Sequence, residues 1–231
     1  MAHPAYYAHM APLNRAGVPV LGGPPDAPVL GARALAHAQD RGAWIIDARD
    51  RDAFAAGHIP GSLNIELNSG FGGYAGWMLP FGAPLVLVLP DQAAEEAARD
   101  AATQLLRIGW TPPHGRLGGG IDGWNSELWS YPTAGIGDLR EAVDPLVLDV
   151  RQELEWDWGV IPGSRTIFVA DLPGRLSELP RDREIWVVCS NGHRASIAAS
   201  LLDRAGIPVR LIGRDGVGQW RRRRAGTSAV Q

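Results

Sequence analysis

The chain has 231 residues, 45% hydrophobic and 20% charged, with a formal net charge of −3, an ordinary balance for one or two domains that each bury a core. That charge excludes the concentrated basic surface on which nucleic-acid binding depends. The single cysteine excludes an internal disulfide and a cysteine-clustered zinc site, and points to a reducing, cytoplasmic compartment.

Residues 1–27 are rich in Pro, Gly and Ala, lack the apolar segment of a signal peptide, and are expected to form an extended N-terminal arm. No stretch reaches the roughly 18 apolar residues of a membrane span. Over residues 28–127 the pattern predicts a helix (31–41), an apolar strand (43–47), an Ile-Pro-Gly turn, a short strand (62–65), a strong apolar strand (84–89), a helix (92–108) and a last strand before Trp124. A polar, Pro- and Gly-interrupted linker is expected at 128–136. Residues 137–231 repeat the order: helix (137–143), strand (146–150), short strand (166–169), apolar strand (184–189), helix (194–205), and a last strand followed by a Gly-x-x-x-Trp ending at Trp220. Apolar central strands flanked by helices predict an α/β fold with a mostly parallel central sheet in each of two domains.

The two halves are copies. "WIIDARDRDAFAAGHIPGSLNI" from Trp44 aligns without gaps with "LVLDVRQELEWDWGVIPGSRTI" from Leu146, so Asp47 and Asp149, Gly57 and Gly159, and Ser62 and Ser164 are each 102 positions apart. That period is too long for a solenoid and reads as duplication of a whole domain.

Cys189 stands where an apolar strand meets a turn, Ser190-Asn191-Gly192-His193, and a helix is expected from about Arg194. In such sheets ligands bind beyond the carboxyl ends of the strands. Backbone N–H groups of the turn and the first helical turn are expected to converge on the sulfur as an anion-binding nest. Gly192 would supply a left-handed turn or a close approach. A nest enriches the thiolate but lowers its nucleophilicity, and the two effects nearly cancel. Its larger use is to stabilise charge on a bound anion or on a covalent adduct of the cysteine. The rival reading is a buried structural cysteine, against which the glycine turn and the adjacent Arg194 argue.

The loop Cys-x-x-Gly-x-Arg-Ala-Ser after "VV", with Asp-Val-Arg and Ile-Pro-Gly-Ser upstream, resembles the rhodanese (sulfurtransferase) family. The resemblance implies two rhodanese-like domains, each a mostly parallel central sheet flanked by helices. It implies a sulfurtransferase in which Cys189 takes a sulfane sulfur from a small anionic donor, thiosulfate or a persulfide, and passes it to a thiol or cyanide acceptor, without a cofactor. Ser190, Asn191, Gly192, His193 and Arg194 would then form the cradle, with Arg194 attracting the donor. Asp149 and Arg151 match the family's Asp-x-Arg and are expected to brace the loop. Val160 stands where the family usually has histidine, as at His58, and the "EWDWG" before it is a further departure, its tryptophans expected to pack.

The first copy shares the resemblance but not the nucleophile: depending on the gap, Leu87 or Leu89 stands at the cysteine position, so this domain is expected to be inactive. "YYAHMAPLNRAGVPVLGG", residues 6–23, is similar to the connector in fusions of a metallo-β-lactamase-fold domain with rhodanese repeats, which implies a possible partner of that fold; its His-x-His-x-Asp-His pattern is absent, so no metal is implied. Two rivals remain. Rhodanese-like folds include phosphatases with a Cys-x5-Arg loop, whereas Cys189 and Arg194 give Cys-x4-Arg, a shorter loop. A non-catalytic persulfide-binding scaffold is the other. The run 221–224 of arginines is expected to be a solvated helix end.

Overall fold

The computed structural model describes residues 4–17, 22–23 and 25–227, with side chains up to residue 222. Residues 1–3, 18–21 and 24 of the expected arm, and the side chains of Arg223 and Arg224, lie outside the described residues. Two compact units are present: residues up to Asp50 together with His58–Leu128, and Arg51–Gly57 together with the residues from Trp129 onward.

In chain order the first half contains α1 (Tyr7–Ala16), β1 (Val29–Leu30), α2 (Ala32–Asp40), β2 (Trp44–Asp47), α3 (Arg51–Ala56, grouped with the second unit), β3 (Leu63–Asn64), α4 (Phe71–Met78), β4 (Leu85–Val88), α5 (Ala94–Arg107) and β5 (Gly115–Leu117). The second half contains β6 (Thr133–Ala134), α6 (Ile136–Glu141), β7 (Leu146–Asp149), α7 (Glu153–Trp156), β8 (Arg165–Thr166), α8 (Leu172–Arg175), β9 (Ile185–Val188), α9 (His193–Arg204), β10 (Val209–Ile212) and α10 (Val217–Thr227). Each unit is built on one five-stranded sheet, ordered β1-β5-β4-β2-β3 and β6-β10-β9-β7-β8, and every pairing is parallel.

The central strands follow from composition. β4 is Leu-Val-Leu-Val with all four residues buried, as a strand covered on both faces requires. α5 buries Ala98, Ala101, Ala102 and Leu105 at helical spacing. α9 buries every residue from Ala195 to Leu202; alanine and serine fill most of that stretch, so the helix can lie in the layer without large side chains on its flanks.

Two expectations are corrected. The N-terminal stretch is helical over Tyr7–Ala16 instead of extended; Ala, Met, Leu and Arg are good helix formers, and Pro12 interrupts the ladder without ending the helix. The expected linker carries an edge strand, since Thr133 and Ala134 pair with Leu211 and Ile212 of β10. A two-residue strand has no periodicity to read.

Chain order places the functional edge. After β7 the chain goes to β8 on one side and then to β9 on the other, so the order reverses between β7 and β9. Such a reversal opens a crevice beyond the carboxyl ends of the strands. Each unit anchors this edge with a buried Asp-x-Arg pair: Arg49 on Asp47 through Nε at 2.9 Å and Nη2 at 2.6 Å, and Arg151 on Asp149 through Nε at 2.9 Å and Nη2 at 2.6 Å. Both aspartates are fully buried.

Removing one partner strands a buried charge, which typically costs about 3–5 kcal/mol, whereas replacing both by apolar groups costs far less. Arg151→Ala is therefore expected to destabilise the second unit by about that amount in urea denaturation, and Asp149→Leu with Arg151→Met to lose less than the single variant. A double variant at least as unstable as Arg151→Ala would refute the charge argument.

Candidate active site

Cys189 follows β9 directly, and Asp149 pairs in register with Val188, so the thiol and the Asp-x-Arg pair share the carboxyl edge at the point of reversal. The turn is held from several directions. Gly192 caps α9 with φ 90°, and a Cβ there would overlap the carbonyl oxygen of Gly213, so both conformation and space require glycine. A Cβ on Gly216 would overlap the carbonyl of Ser190, and the next N–H, of Val217 at the start of α10, donates to the Cys189 carbonyl at 3.0 Å. Arg51, which groups with this unit, donates from Nη1 to the carbonyl oxygens of Asn191 at 2.6 Å and Gly213 at 3.1 Å.

At the sulfur, the Gly192 N–H donates to Cys189 Sγ at 3.1 Å. The thiol points to Asn191 Oδ1 at 3.9 Å, and the same oxygen accepts the His193 N–H at 3.4 Å. The Gly192 N–H is thus one turn amide that reaches the sulfur, as a nest requires. Cys189 is also fully buried, so the thiol is covered in this structure.

Arg194 does not face the sulfur alone. Its guanidinium makes a two-point ion pair with Glu155, one arm to Oε2 and Nη2 to Oε1 at 2.9 Å, while Nη2 also donates to Ser190 Oγ at 2.9 Å. Burial pushes the Glu155 carboxyl up, but the hydrogen bond from Arg194, the Gln152 N–H, and the charges of Arg194 and Arg151 outweigh it and hold the carboxyl below its ordinary value. Glu155 is thus ionised at neutral pH. Its position is set by Arg151, whose remaining donors take the carbonyls of Glu155 at 3.0 Å and Gly159 at 2.9 Å. The Asp149–Arg151 pair accordingly braces the segment 151–159, and the cysteine loop is reached through Glu155.

The tryptophans of "EWDWG" part company: Trp156 is half-buried, and Trp158 is 66% exposed, where packing was expected for both. Val160 is 37% exposed, while its counterpart His58 is fully buried. Glu155, Arg51 and Gly216 were not singled out from sequence. Gly216 belongs to the repeated Gly-x-x-x-Trp pattern and could have been; Arg51 carries no sequence signal; Glu155 sits in an acidic run whose pairing only the fold reveals. Among the described residues no helix is long and apolar enough to cross a membrane, and no cluster of three or more His, Cys, Asp or Glu could hold a metal ion.

Residues 32–127 and 136–222 each match the rhodanese-like domain family. The chain is 32% identical over 84 residues to a sulfurtransferase of Allochromatium vinosum, covering 36% of this chain and 78% of that protein. It is 37% identical over 84 residues to the HTH-type transcriptional regulator Rv0324 of Mycobacterium tuberculosis, of which it spans only 37%, with 36% of this chain covered. The crystal structure of thiosulfate sulfurtransferase from Pseudomonas aeruginosa is 25% identical, with a TM-score of 0.38, over 86% of this chain and 42% of that one. With a family match over most of its length and a parallel sheet in each matched span, the chain belongs to the rhodanese-like domain family, which it carries as two tandem copies.

Proposed function

We propose that this chain transfers sulfane sulfur through Cys189 of the second unit. The observation that carries the reading is the Gly192 N–H on Cys189 Sγ at 3.1 Å, at a strand-to-helix turn on the carboxyl edge of a rhodanese-like domain. In the first half-reaction the Cys189 thiolate attacks the outer sulfur of the donor, and the sulfur–sulfur bond of the donor breaks. With thiosulfate the bonding electron pair leaves on sulfite; with a persulfide R–S–SH it leaves on the thiolate RS−. Cys189 is left as a persulfide. In the second half-reaction a thiolate or cyanide attacks the outer sulfur, and the electron pair returns to Cys189 as thiolate. No external oxidant or reductant enters. The turn amide and the positive end of the 12-residue helix α9 face the sulfur and favour negative charge there in both states.

Because Cys189 is sealed in the resting structure, a donor enters by displacing the Asn191 side chain, whose Oδ1 is the contact 3.9 Å from Sγ. A phosphatase is disfavoured by loop length: Cys189 and Arg194 enclose four residues, one fewer than the Cys-x5-Arg loop that fits a tetrahedral phosphate.

The first unit is inert on this reading. Strand register supports Leu89 as the counterpart of Cys189: Asp47 pairs with Val88 as Asp149 pairs with Val188. Leu89 is buried. The turn after it is one residue longer, capped by Ala93 at φ 57°, and Glu95 and Glu96 occupy the first turn of α5. Two carboxylates already use the positive helix end and repel a second anion.

Intact mass measurement after incubation with thiosulfate or an alkyl persulfide is expected to show one added sulfur on the wild type, discharged by a thiol, and none on Cys189→Ser. A wild type that gains no sulfur from any donor would overturn the proposal, and one that is loaded but never turns over would make the chain a persulfide-binding scaffold. Asn191→Ala should speed alkylation of native Cys189 several-fold; an unchanged rate would remove that side chain as the gate. Leu89→Cys in a Cys189→Ser background should remain unloaded, and loading there would show that the first unit lacks only its thiol.

A further inference from the structure

The cation best placed to recruit an anionic donor is largely neutralised by its own neighbour. Arg194 is 11% exposed at its side chain and Glu155 20%; they form a two-point pair, with Ser190 Oγ taking a further donor from the same guanidinium. A carboxylate therefore stands one guanidinium away from the loop that holds the sulfur. Arg151 fixes its backbone through the Glu155 carbonyl at 3.0 Å, and the Gln152 N–H, at 3.1 Å from Oε2, holds the carboxylate together with Arg194. Arg51 is a further cation at the loop, and its Nη1 is spent on the backbone carbonyls of Asn191 and Gly213. The residues flanking Glu155 on the same segment, Leu154 and Trp158, are 63% and 66% exposed and offer apolar surface.

We propose that Glu155 is a specificity-determining residue that sets the donor class: its carboxylate, held on Arg194, disfavours dianionic donors such as thiosulfate and leaves organic persulfides, which bring at most one negative charge on the outer sulfur, as the preferred substrates. This rests on sulfur transfer through Cys189. The physical basis is charge count. A fixed carboxylate a few ångströms from the donor site raises the energy of a dianion about twice as much as that of a monoanion, in a partly buried setting where water screens little. The reaction of the preferred donor is the balanced one given above: Cys189 thiolate and R–S–SH yield the Cys189 persulfide and RS−.

The test compares kcat/KM for thiosulfate and for benzyl hydropersulfide, with cyanide as acceptor, in the full chain and in Glu155→Gln, which keeps the side-chain shape and removes its charge. The thiosulfate value is expected to rise about tenfold in Glu155→Gln, mainly through KM, while the persulfide value, with half the energy at stake, rises only about threefold. The gain should shrink at high salt. Glu155→Asp, which keeps the charge, should keep the wild-type donor ratio. Gln152→Arg adds a positive charge at the exposed N-cap of α7, three residues before Glu155, and should shift the ratio in the same direction as Glu155→Gln, which keeps the inference testable if the glutamine variant is unstable. Equal shifts for both donors, or a fall with thiosulfate alone, would overturn the inference while sulfur transfer stands. Absence of Cys189-dependent turnover with either donor in the wild type would overturn both.

Discussion

Asp149 cannot keep its charge out of water without a partner, and that constraint organises the carboxyl edge of the second sheet. It is fully buried, and an isolated carboxylate there would cost several kcal/mol. The chain therefore turns back immediately after β7 so that Arg151 meets it through two nitrogens. The guanidinium donors that remain take the carbonyls of Glu155 and Gly159, which pins the segment that follows. That segment presents Glu155 to Arg194, and Arg194 in turn donates to Oγ of Ser190, the residue after Cys189. A single buried charge is thus linked, contact by contact, to the loop that carries the chemistry.

The first unit carries the same frame without a cysteine at the strand end. It keeps the strand order and the buried Asp47–Arg49 pair, with Asn64 Nδ2 bonded to the carbonyls of both residues at 3.1 and 3.0 Å. Its edge is at least as well anchored, yet the turn after β4 has diverged in length, charge and nucleophile. The Asp-x-Arg pair is therefore a property of the scaffold, and on the sulfur-transfer reading the activity resides in the turn grafted onto it.

This division explains what could be read from sequence. The apolar runs at β4 and β9, the alanine-rich helices and the gapless repeat fix a pair of parallel α/β domains, because strand burial and helical spacing are local patterns. Cys189 and its glycine were legible for the same reason: a strand-end cysteine before a left-handed turn is a short-range signal. Edge strands β1 and β6 were not, since two residues pair by backbone alone. The alignment could not choose between Leu87 and Leu89, because hydrophobicity is alike at both; strand register supports Leu89. The partner of Arg194 was hidden because Glu155 lies 39 residues upstream in a run with Glu153 and Asp157, and charge alone does not say which carboxylate turns inward. The enclosure of the thiol was also missed. Composition gives the residues of a turn, but not how tightly the turn closes.

That enclosure matters to what a sulfur carrier must do. An exposed thiolate with a lowered barrier to attack is also the form most readily oxidised by peroxide, and beyond the sulfenic stage the loss is irreversible. In the resting state Cys189 is covered, its S–H directed to Asn191 Oδ1 and its sulfur accepting the Gly192 N–H. On the sulfur-transfer reading, protection and selectivity then come from the same loop. A donor must open the cover, which discriminates by shape, and it must do so beside Glu155, which discriminates by charge. The cover is the side chain of Asn191, whose Oδ1 meets the thiol, whereas the charge barrier sits on Glu155, which reaches the loop through Arg194. Both can therefore change in evolution while Cys189, Gly192 and the buried Asp149–Arg151 pair stay fixed.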